Sequence, residues 1–343
     1  MKERERPSKE QLRDLYAAAI AFKQAEPWRN LYDTDLIAVE NPLDGLVGYC
    51  SVMGRMGQHF GLCVFLGAQG LEGFFQLLEL GDDEDGFADA AFSQNYIMCS
   101  FENRELLDQQ DLKDIKDLGL RFRGRNAWPQ FRRYEPGYHP WYLNQEEAVF
   151  LTHALEQVLA VYEEHRRGEV ALDFESRRTV LRVSEKRGGE LVWHTRPWKL
   201  LRPVRSYEPL IMENELLLWQ LRKAPRSLRA VWELDVCYLP VVVQESKQER
   251  PRFPRGFVLA DHQTGMILDC HAYEDATEDV PQVVTRLTQH IANYGLPREL
   301  RIKSDLMAAI LGDLCAKTGI SLKRARRLPK VEYFLEELEQ GLS

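Results

Sequence analysis

The chain has 343 residues, of which 44% are hydrophobic, so it is long enough to bury two cores. Its formal net charge of −8 at pH 7 argues against a protein built chiefly to coat duplex DNA or an anionic membrane. The acidity is one-sided, because residues 1–150 carry a net charge of −9 and residues 151–343 a net charge of +1. A polyanion is therefore expected to prefer the second half.

The sequence supports neither export nor membrane insertion. The N-terminus, MKERERPSKEQ, lacks the apolar core of a signal peptide, and no stretch approaches the roughly 18 apolar residues of a membrane span. Six cysteines form no CxxC pair, and most lie within apolar runs, as is typical of small buried side chains in a reducing compartment. A cytoplasmic protein without a membrane partner is expected.

The first half predicts an α+β domain of unknown function over residues 1–166, with an antiparallel sheet and helices. Residues 8–25 show an apolar stripe of helical period after a Ser8 cap, which predicts a helix. Three apolar runs follow, the first two separated by turn residues at 41–45, and they predict three strands. A helix at 71–80, a strand in NYIMCSFEN, a polar helix at 105–118 and a long helix at 144–165 follow. The acidic run GDDEDG at 81–86 lacks the spacing of a calcium loop and predicts a solvated loop.

The second half contains a connecting region and then a more regular pattern. Residues 167–227 predict a hairpin and a helix, MENELLLWQLRKA, which the sequence assigns to neither neighbour. From residue 228 to 343 the runs VWELDVCYL, GFVLADH and MILDCHAY predict three strands, and helix and strand then alternate to the end. The order βββαβαβα predicts an α/β domain with a mixed sheet and right-handed crossovers.

This order of elements resembles the ribonuclease H-like fold shared by integrases and transposases. The segments that carry this resemblance are WELDV in the first strand, VLADHQTG at the start of the hairpin and YGLPRELRIKSD further along the chain. Through GLVGYCSVMGRMGQHFGL and FRGRNAWPQFRRYEPGYHPWYL, the whole chain is also similar to an uncharacterised bacterial family that pairs two domains of unknown function. That second resemblance is the closer one, and it implies no chemistry.

The ribonuclease H-like resemblance implies a site in which carboxylates on the first and fourth strands hold two divalent cations, Mg²⁺ or Mn²⁺. Asp235 and Asp305 match those two positions. A third carboxylate is expected from the last helix, but the helical projection of 330–340 puts no glutamate clearly on the face toward the sheet. Asp305 also opens a helix, where a Ser304 or Asp305 side chain would cap free backbone N–H groups and the carboxylate would favour the helix dipole. Asp235 also fits a strand with one partly wet face.

Two clusters of cations are candidate anion-binding sites. The segment 121–143 interleaves arginines with rings, as a single-strand binder requires; alternatively, the rings pack on the first domain and the arginines pair with its carboxylates. Its candidates are Arg121, Arg123, Arg125, Arg132 and Arg133, with the aromatic residues Trp128, Phe131, Tyr138 and Trp141. The second cluster, at the end of the last strand, either meets a phosphate backbone or forms a solvated loop; it consists of Lys323, Arg324, Arg326 and Arg327.

No HExxH, P-loop, GxGxxG or GxSxG motif is present, so the sequence favours no catalytic residue, cofactor or metal. The favoured hypothesis is a non-catalytic cytoplasmic binding or scaffold protein with a degenerate ribonuclease H-like domain. The sequence leaves a protein partner as an open alternative, and it does not favour nucleic acid as a partner. One alternative is a divalent-metal-dependent nuclease or strand-transfer enzyme using Asp235 and Asp305. The other is a single-stranded nucleic-acid binder acting through 121–143.

Overall fold

The computed structural model describes residues 5–80, 92–203, 206–246 and 249–341, so the acidic run at 81–86 lies outside the described residues. The chain divides into two compact domains. The first holds the described residues up to 80 together with 93–136 and 140–203, and the second holds residue 92, the short strip 137–139 and the described residues from 206 onward. In the described residues, no helix combines the length and the apolar character needed to cross a bilayer.

The first domain is built on a seven-stranded sheet in the order β5-β4-β3-β2-β1-β6-β7. Its strands are β1 (Ile37–Glu40), β2 (Val47–Met53), β3 (Gly61–Leu66), β4 (Tyr96–Glu102), β5 (Trp128–Tyr134), β6 (Arg178–Arg187) and β7 (Glu190–Lys199). Its helices are α1 (Lys9–Ala25), α2 (Gly67–Leu80), α3 (Gln109–Asp117) and α4 (Gln145–Arg166).

Alternation along the strands separates two apolar layers in this domain. On β3, Leu62 and Val64 belong to the large core with α1 and α4, whereas Cys63 and Phe65 belong to a smaller core with α2. Both helices of the large core begin with a reciprocal capping box, at Ser8 in α1 and at Asn144 in α4, which satisfies free backbone N–H groups at the start of each helix.

The hairpin β6-β7, which the sequence left between the domains, extends the first sheet. Ala38 of β1 pairs in parallel with Leu181 of β6, and the hydroxyl of Thr179 donates to the carbonyl of Leu36. The other strand pairs in this sheet are antiparallel. The prediction of an antiparallel sheet was therefore wrong: the sheet is mixed, because the hairpin arrives beside β1 in the parallel direction.

The second domain has the predicted βββαβαβα order, preceded by helix α5 (Glu215–Lys223), whose Leu218 and Leu221 are buried in its core. Its sheet runs in the order β10-β9-β8-β11-β12, with β9 antiparallel to both neighbours and the other two pairs parallel. The strands are β8 (Val231–Tyr238), β9 (Arg255–Asp261), β10 (Ile267–Tyr273), β11 (Glu299–Ile302) and β12 (Ser321–Arg324). The helices that follow α5 are α6 (Asp279–Tyr294), α7 (Asp305–Thr318) and α8 (Pro329–Gln340).

Helix α8 covers the face of β8 that the sequence predicted to be partly wet. Trp232 and Leu234 turn toward the core with α6 and α7, and Cys237 on the opposite face packs in a second apolar cluster with Val331 of α8. Glu233, on that same face, is 0% exposed. The wet-face prediction was right at the half-buried Asp235 and wrong at Glu233, because alternation along one strand does not reveal which distant helix packs against its polar side.

Gly295, which ends α6, is a position in the second domain where a side chain is poorly tolerated. Its φ is +96°, and a Cβ built there would lie 2.3 Å from the carbonyl oxygen of Pro225. We expect Gly295→Ala to lower the free energy of unfolding of this domain by about 1–3 kcal/mol, measured by urea denaturation.

A matched glycine in the same domain serves as the control. Gly312 lies inside α7, and a Cβ added there would meet no atom within 4 Å, so Gly312→Ala is expected to stabilise the domain by about 0.5–1 kcal/mol. Equal effects of the two substitutions would contradict the steric explanation.

Candidate functional site

The first candidate site is the end of the second sheet where β8 and β11 lie side by side. Arg301 stands opposite Glu233 in the parallel register, which puts Lys303 and Asp235, each two residues further along, at the same level of the sheet. Asp235 is half-buried. Asp305 follows as the first residue of α7, but the cap of that helix is Ser304, whose hydroxyl accepts a hydrogen bond from Met307 N at 3.2 Å.

The protein's own cations occupy this region. The Asp305 side chain is 61% exposed and forms an ion pair with Arg324. Glu332 of α8 reaches the sheet, although the helical projection put no glutamate clearly on that face. Its carboxylate lies 3.3 Å from Lys303 Nζ and 2.8 Å from Arg327 Nε.

A two-metal centre requires several carboxylates that converge on common points. Among the described residues, no three His, Cys, Asp or Glu side chains come together in a way that could hold a metal ion. The donors present here do not fit the divalent cations that the resemblance implies, because Asp305 and Glu332 are both paired with lysine or arginine.

Below this level, the buried carboxylate of Glu233 holds the start of α8. It accepts hydrogen bonds from the backbone N–H groups of Lys330 at 2.8 Å and Val331 at 3.3 Å. Helix α8 has no side-chain cap of its own and carries Pro329 in its first turn. A carboxylate at a helix N-terminus satisfies free donors and interacts favourably with the helix dipole, which explains a charged group inside this sheet.

Glu233 is also the first member of a chain of polar contacts. His262 Nδ1 lies 2.5 Å from its carboxylate, and Arg301 Nη1 donates to His262 Nε2 at 2.7 Å. Because Arg301 can only donate, Nε2 is the acceptor and Nδ1 carries the proton shared with Glu233. Arg301 Nε then donates to Glu299 at 2.8 Å, and Lys323 Nζ lies 2.6 Å from the same carboxylate.

These contacts account for most of the second predicted cation cluster. Lys323, Arg324 and Arg327 are each paired with a carboxylate of their own domain. Arg326 is exposed and has no ion pair among the described residues. Within that part of the chain, the cluster therefore offers one uncommitted cation rather than four.

The Glu299 contacts predict how the second domain responds to acid. The hydrogen bond from Lys323, with a further one from Arg301, outweighs burial and lowers the pKa of Glu299 below its usual 4.5. A carboxylate with a lowered folded-state pKa contributes stability above its unfolded pKa and loses it as the pH falls through the folded value. We expect Glu299→Gln to cost about 1–3 kcal/mol at pH 7 and to flatten the loss of stability below pH 4.5.

The measurement is urea denaturation of both proteins at a series of pH values between neutrality and acid. Glu274→Gln is the control, since Glu274 is 74% exposed, pairs with Arg252 in the same domain and should leave the acid limb unchanged. If the free energy of unfolding falls equally steeply in acid with Gln at position 299, Glu299 is not the group that causes this loss of stability.

The second candidate site is the 121–143 segment of the sequence, which the structure divides. Arg132 and Arg133 lie on β5 and are largely buried. Arg132 pairs with Asp111 at 2.6 Å and Asp108 at 2.9 Å, and Arg133 pairs with Glu147 at 3.2 Å. Burial would raise the pKa of Asp108, but the Tyr142 hydroxyl, which donates at 2.6 Å, and backbone N–H groups hold that pKa below its ordinary value. These two arginines are structural.

Three of the predicted aromatic residues likewise pack against other parts of the protein. Phe131 is buried in the large core of the first domain, edge-on to Tyr16 at 5.0 Å. The Trp141 ring packs edge-on to Tyr142 at 5.3 Å, and Tyr138 belongs to the second domain, where the guanidinium of Arg250 lies 4.8 Å from its ring. None of these rings lines the surface that holds Trp128.

Arg121, Arg123 and Arg125 gather on the loop between α3 and β5, where two residues outside the predicted segment join them: Arg104 and Lys116. We call this surface the basic groove; it is formed by Arg104, Lys116, Arg121, Phe122, Arg123, Arg125 and Trp128. All five cations are exposed, and within the described part of the chain none of them forms an ion pair. Glu105 is the carboxylate in the lining.

The groove consists of two depressions that share a wall. One, of about 460 Å³, lies between 103–105 and 122–125, and the other, of about 590 Å³, lies between the end of α3 and 119–123. The shared wall contains Phe122 and Trp128, whose ring centroids are 5.8 Å apart. The Arg104 guanidinium lies 5.9 Å from the Trp128 ring centroid.

The loop that carries the groove is held at both ends. Gly119, with φ of +72°, ends α3 in a Schellman motif in which Leu120 N donates to Ile115 O at 3.0 Å. At the other end, Asn103 Oδ1 accepts from Asn126 N at 3.0 Å, and the Lys23 ammonium donates to the Asn126 carbonyl. Sequence reasoning missed Arg104 and Lys116 because only this fold brings them to the loop; the signal available was that both lie close to the ends of the predicted polar helix.

Two family models, each described as a domain of unknown function, match successive parts of the chain. Residues 13–182 match a family model described as a domain of unknown function (DUF7309), and residues 217–339 match a second one (DUF6930). No curated protein matches the chain.

Among solved structures, one similar chain belongs to a simian T-cell lymphotropic virus intasome in complex with the PP2A regulatory subunit B56 gamma. The two chains are 17% identical, and the match covers 34% of this chain and 40% of that one, with a TM-score of 0.22.

Proposed function

We propose that this protein is a non-catalytic binding protein whose first domain presents the basic groove to an anionic ligand. One observation carries the proposal: five exposed cations surround two rings without an ion pair among the described residues. Carboxylates are abundant in this half of the chain, and they pair with Arg132 and Arg133. Clustered cations repel one another unless a counter-charge is supplied, and a bound anion supplies it.

We infer that the second domain is a degenerate ribonuclease H-like domain. The inference is supported by the sheet order β10-β9-β8-β11-β12, in which the strand of Asp235 neighbours the strand that precedes Asp305. For metal-dependent chemistry, Asp305 would have to leave Arg324, and Lys303 would have to leave Glu332. The pairing of these groups favours a scaffold that binds a partner in the cytoplasm over a nuclease or a strand-transfer enzyme.

The absence of metal chemistry is testable by thermal unfolding in increasing Mn²⁺. A site that binds only the folded protein would raise its stability by about 2.7 kcal/mol at a hundredfold excess over Kd. We expect no such rise up to millimolar Mn²⁺. A rise that Asp235→Asn abolishes, and that Asp44→Asn in a first-domain turn leaves intact, would instead support the nuclease alternative.

Binding of an anion by the basic groove is testable with tripolyphosphate, a probe that has charge but no ring. Calorimetry at low salt should detect binding that weakens as salt rises, because the attraction comes from exposed charges. The double substitution Arg121→Glu with Arg123→Glu should abolish it, whereas Arg13→Glu, at an exposed arginine of α1 outside the groove, should leave it nearly unchanged. Binding that survives the double reversal would show that the anion binds elsewhere.

A further inference from the structure

We propose that the ligand of the basic groove is single-stranded nucleic acid and that the two depressions accept successive nucleotides. The inference rests on the proposed function, because it presupposes that the groove binds an anion. It adds the ligand class and the number of subsites.

Each depression offers the two kinds of contact that a nucleotide requires. Both are bordered by Trp128 and by Phe122, whose ring also stacks on Tyr16 at 6.2 Å, and both contain Arg104 and Arg123. One depression adds Arg125, and the other adds Arg121 together with Lys116. Bases stack on aromatic rings whatever their identity, and cations beside the rings pair with the phosphates, which makes such a surface tolerant of sequence.

The rings distinguish a single strand from other polyanions. In a duplex the bases stack on one another, so a duplex would contact the arginines with its phosphates and leave Phe122 and Trp128 unused. An acidic peptide would likewise pair its carboxylates with the cations without supplying planar groups for the rings. The presence of both rings on the wall common to the two depressions, where each stays partly exposed, therefore favours unstacked bases.

The anchoring of the loop supports a site formed before the ligand arrives. The Schellman motif at Gly119 and the Asn103 contact to Asn126 hold the two ends of the loop that carries three of the arginines. A surface that is already ordered loses less conformational entropy on binding. The same loop keeps Arg121, Arg123 and Arg125 exposed rather than folded back on the acidic domain.

The experiment is fluorescence anisotropy with end-labelled oligothymidylates of one to ten nucleotides and the full chain. Affinity should rise steeply from one nucleotide to about three and more slowly afterwards, as expected for two adjacent subsites. If two or three phosphates are neutralised, the logarithm of the affinity should fall against the logarithm of the salt concentration with a slope of about −1.4 to −2.1. A blunt duplex of the same length should bind more weakly.

Two variants separate stacking from charge. Trp128→Leu should weaken oligonucleotide binding by about 5- to 150-fold, the loss expected for one stacked base, and leave tripolyphosphate binding unchanged. Because Trp128 also packs against the large core, the fold of this variant is checked by circular dichroism. The exposed pair Arg123→Ala with Arg125→Ala should fold normally and lower the salt slope.

The matched controls are Trp219→Leu, at an exposed tryptophan of the second domain, and Arg13→Ala on α1; neither should change the affinity. Oligonucleotides that bind no more tightly than tripolyphosphate, or than an acidic peptide of equal charge, would overturn the inference and leave the groove as an anion site. Equal affinity for duplex and single strand would overturn it as well. Failure of every anion to bind would overturn both this inference and the proposed function.

Discussion

The second domain depends on the contact between the buried carboxylate of Glu233 and the first backbone N–H groups of helix α8. A buried charge without partners is strongly destabilising, and a helix start without a cap leaves free donors, so each group compensates for the other. The contact fixes α8 across β8, which lets Cys237 and Val331 pack in a dry cluster. It also places the Glu332 carboxylate beside the sheet, where that carboxylate pairs with Lys303.

The elements of the fold follow from local patterns, whereas their partners do not. The apolar stripe that ends at Phe22 predicts α1, and the alternation of strands and helices after residue 228 predicts the second sheet, because periodicity reports which face of an element is buried. The hairpin β6-β7 has an equally clear pattern, yet nothing local distinguishes docking on β1 from docking on the second domain. Only the pairing of Ala38 with Leu181 decides it.

The candidate site shows the same division at the level of single side chains. Arginines at 123 and 132 look alike in the sequence, but Arg132 lies within reach of Asp111 on α3 and of Asp108, which caps that helix, and Arg123 does not. Which arginine finds a carboxylate is set by the packing of α3 against β5, which the local pattern of neither element reveals. The sequence therefore predicted that this segment combines cations and rings, and it could not separate the structural arginines from those left in the basic groove.

The parallel pairing of β1 with β6 has a consequence for how the first domain is made. The hydroxyl of Thr179 donates to a carbonyl 143 residues earlier, so one edge of β1 has no partner until β6 has left the ribosome. Long loops between paired strands slow folding and prolong the exposure of unpaired edges. Synthesis arrested before residue 178 would leave β1 as an open edge, the kind of surface that chaperones cover and aggregates extend.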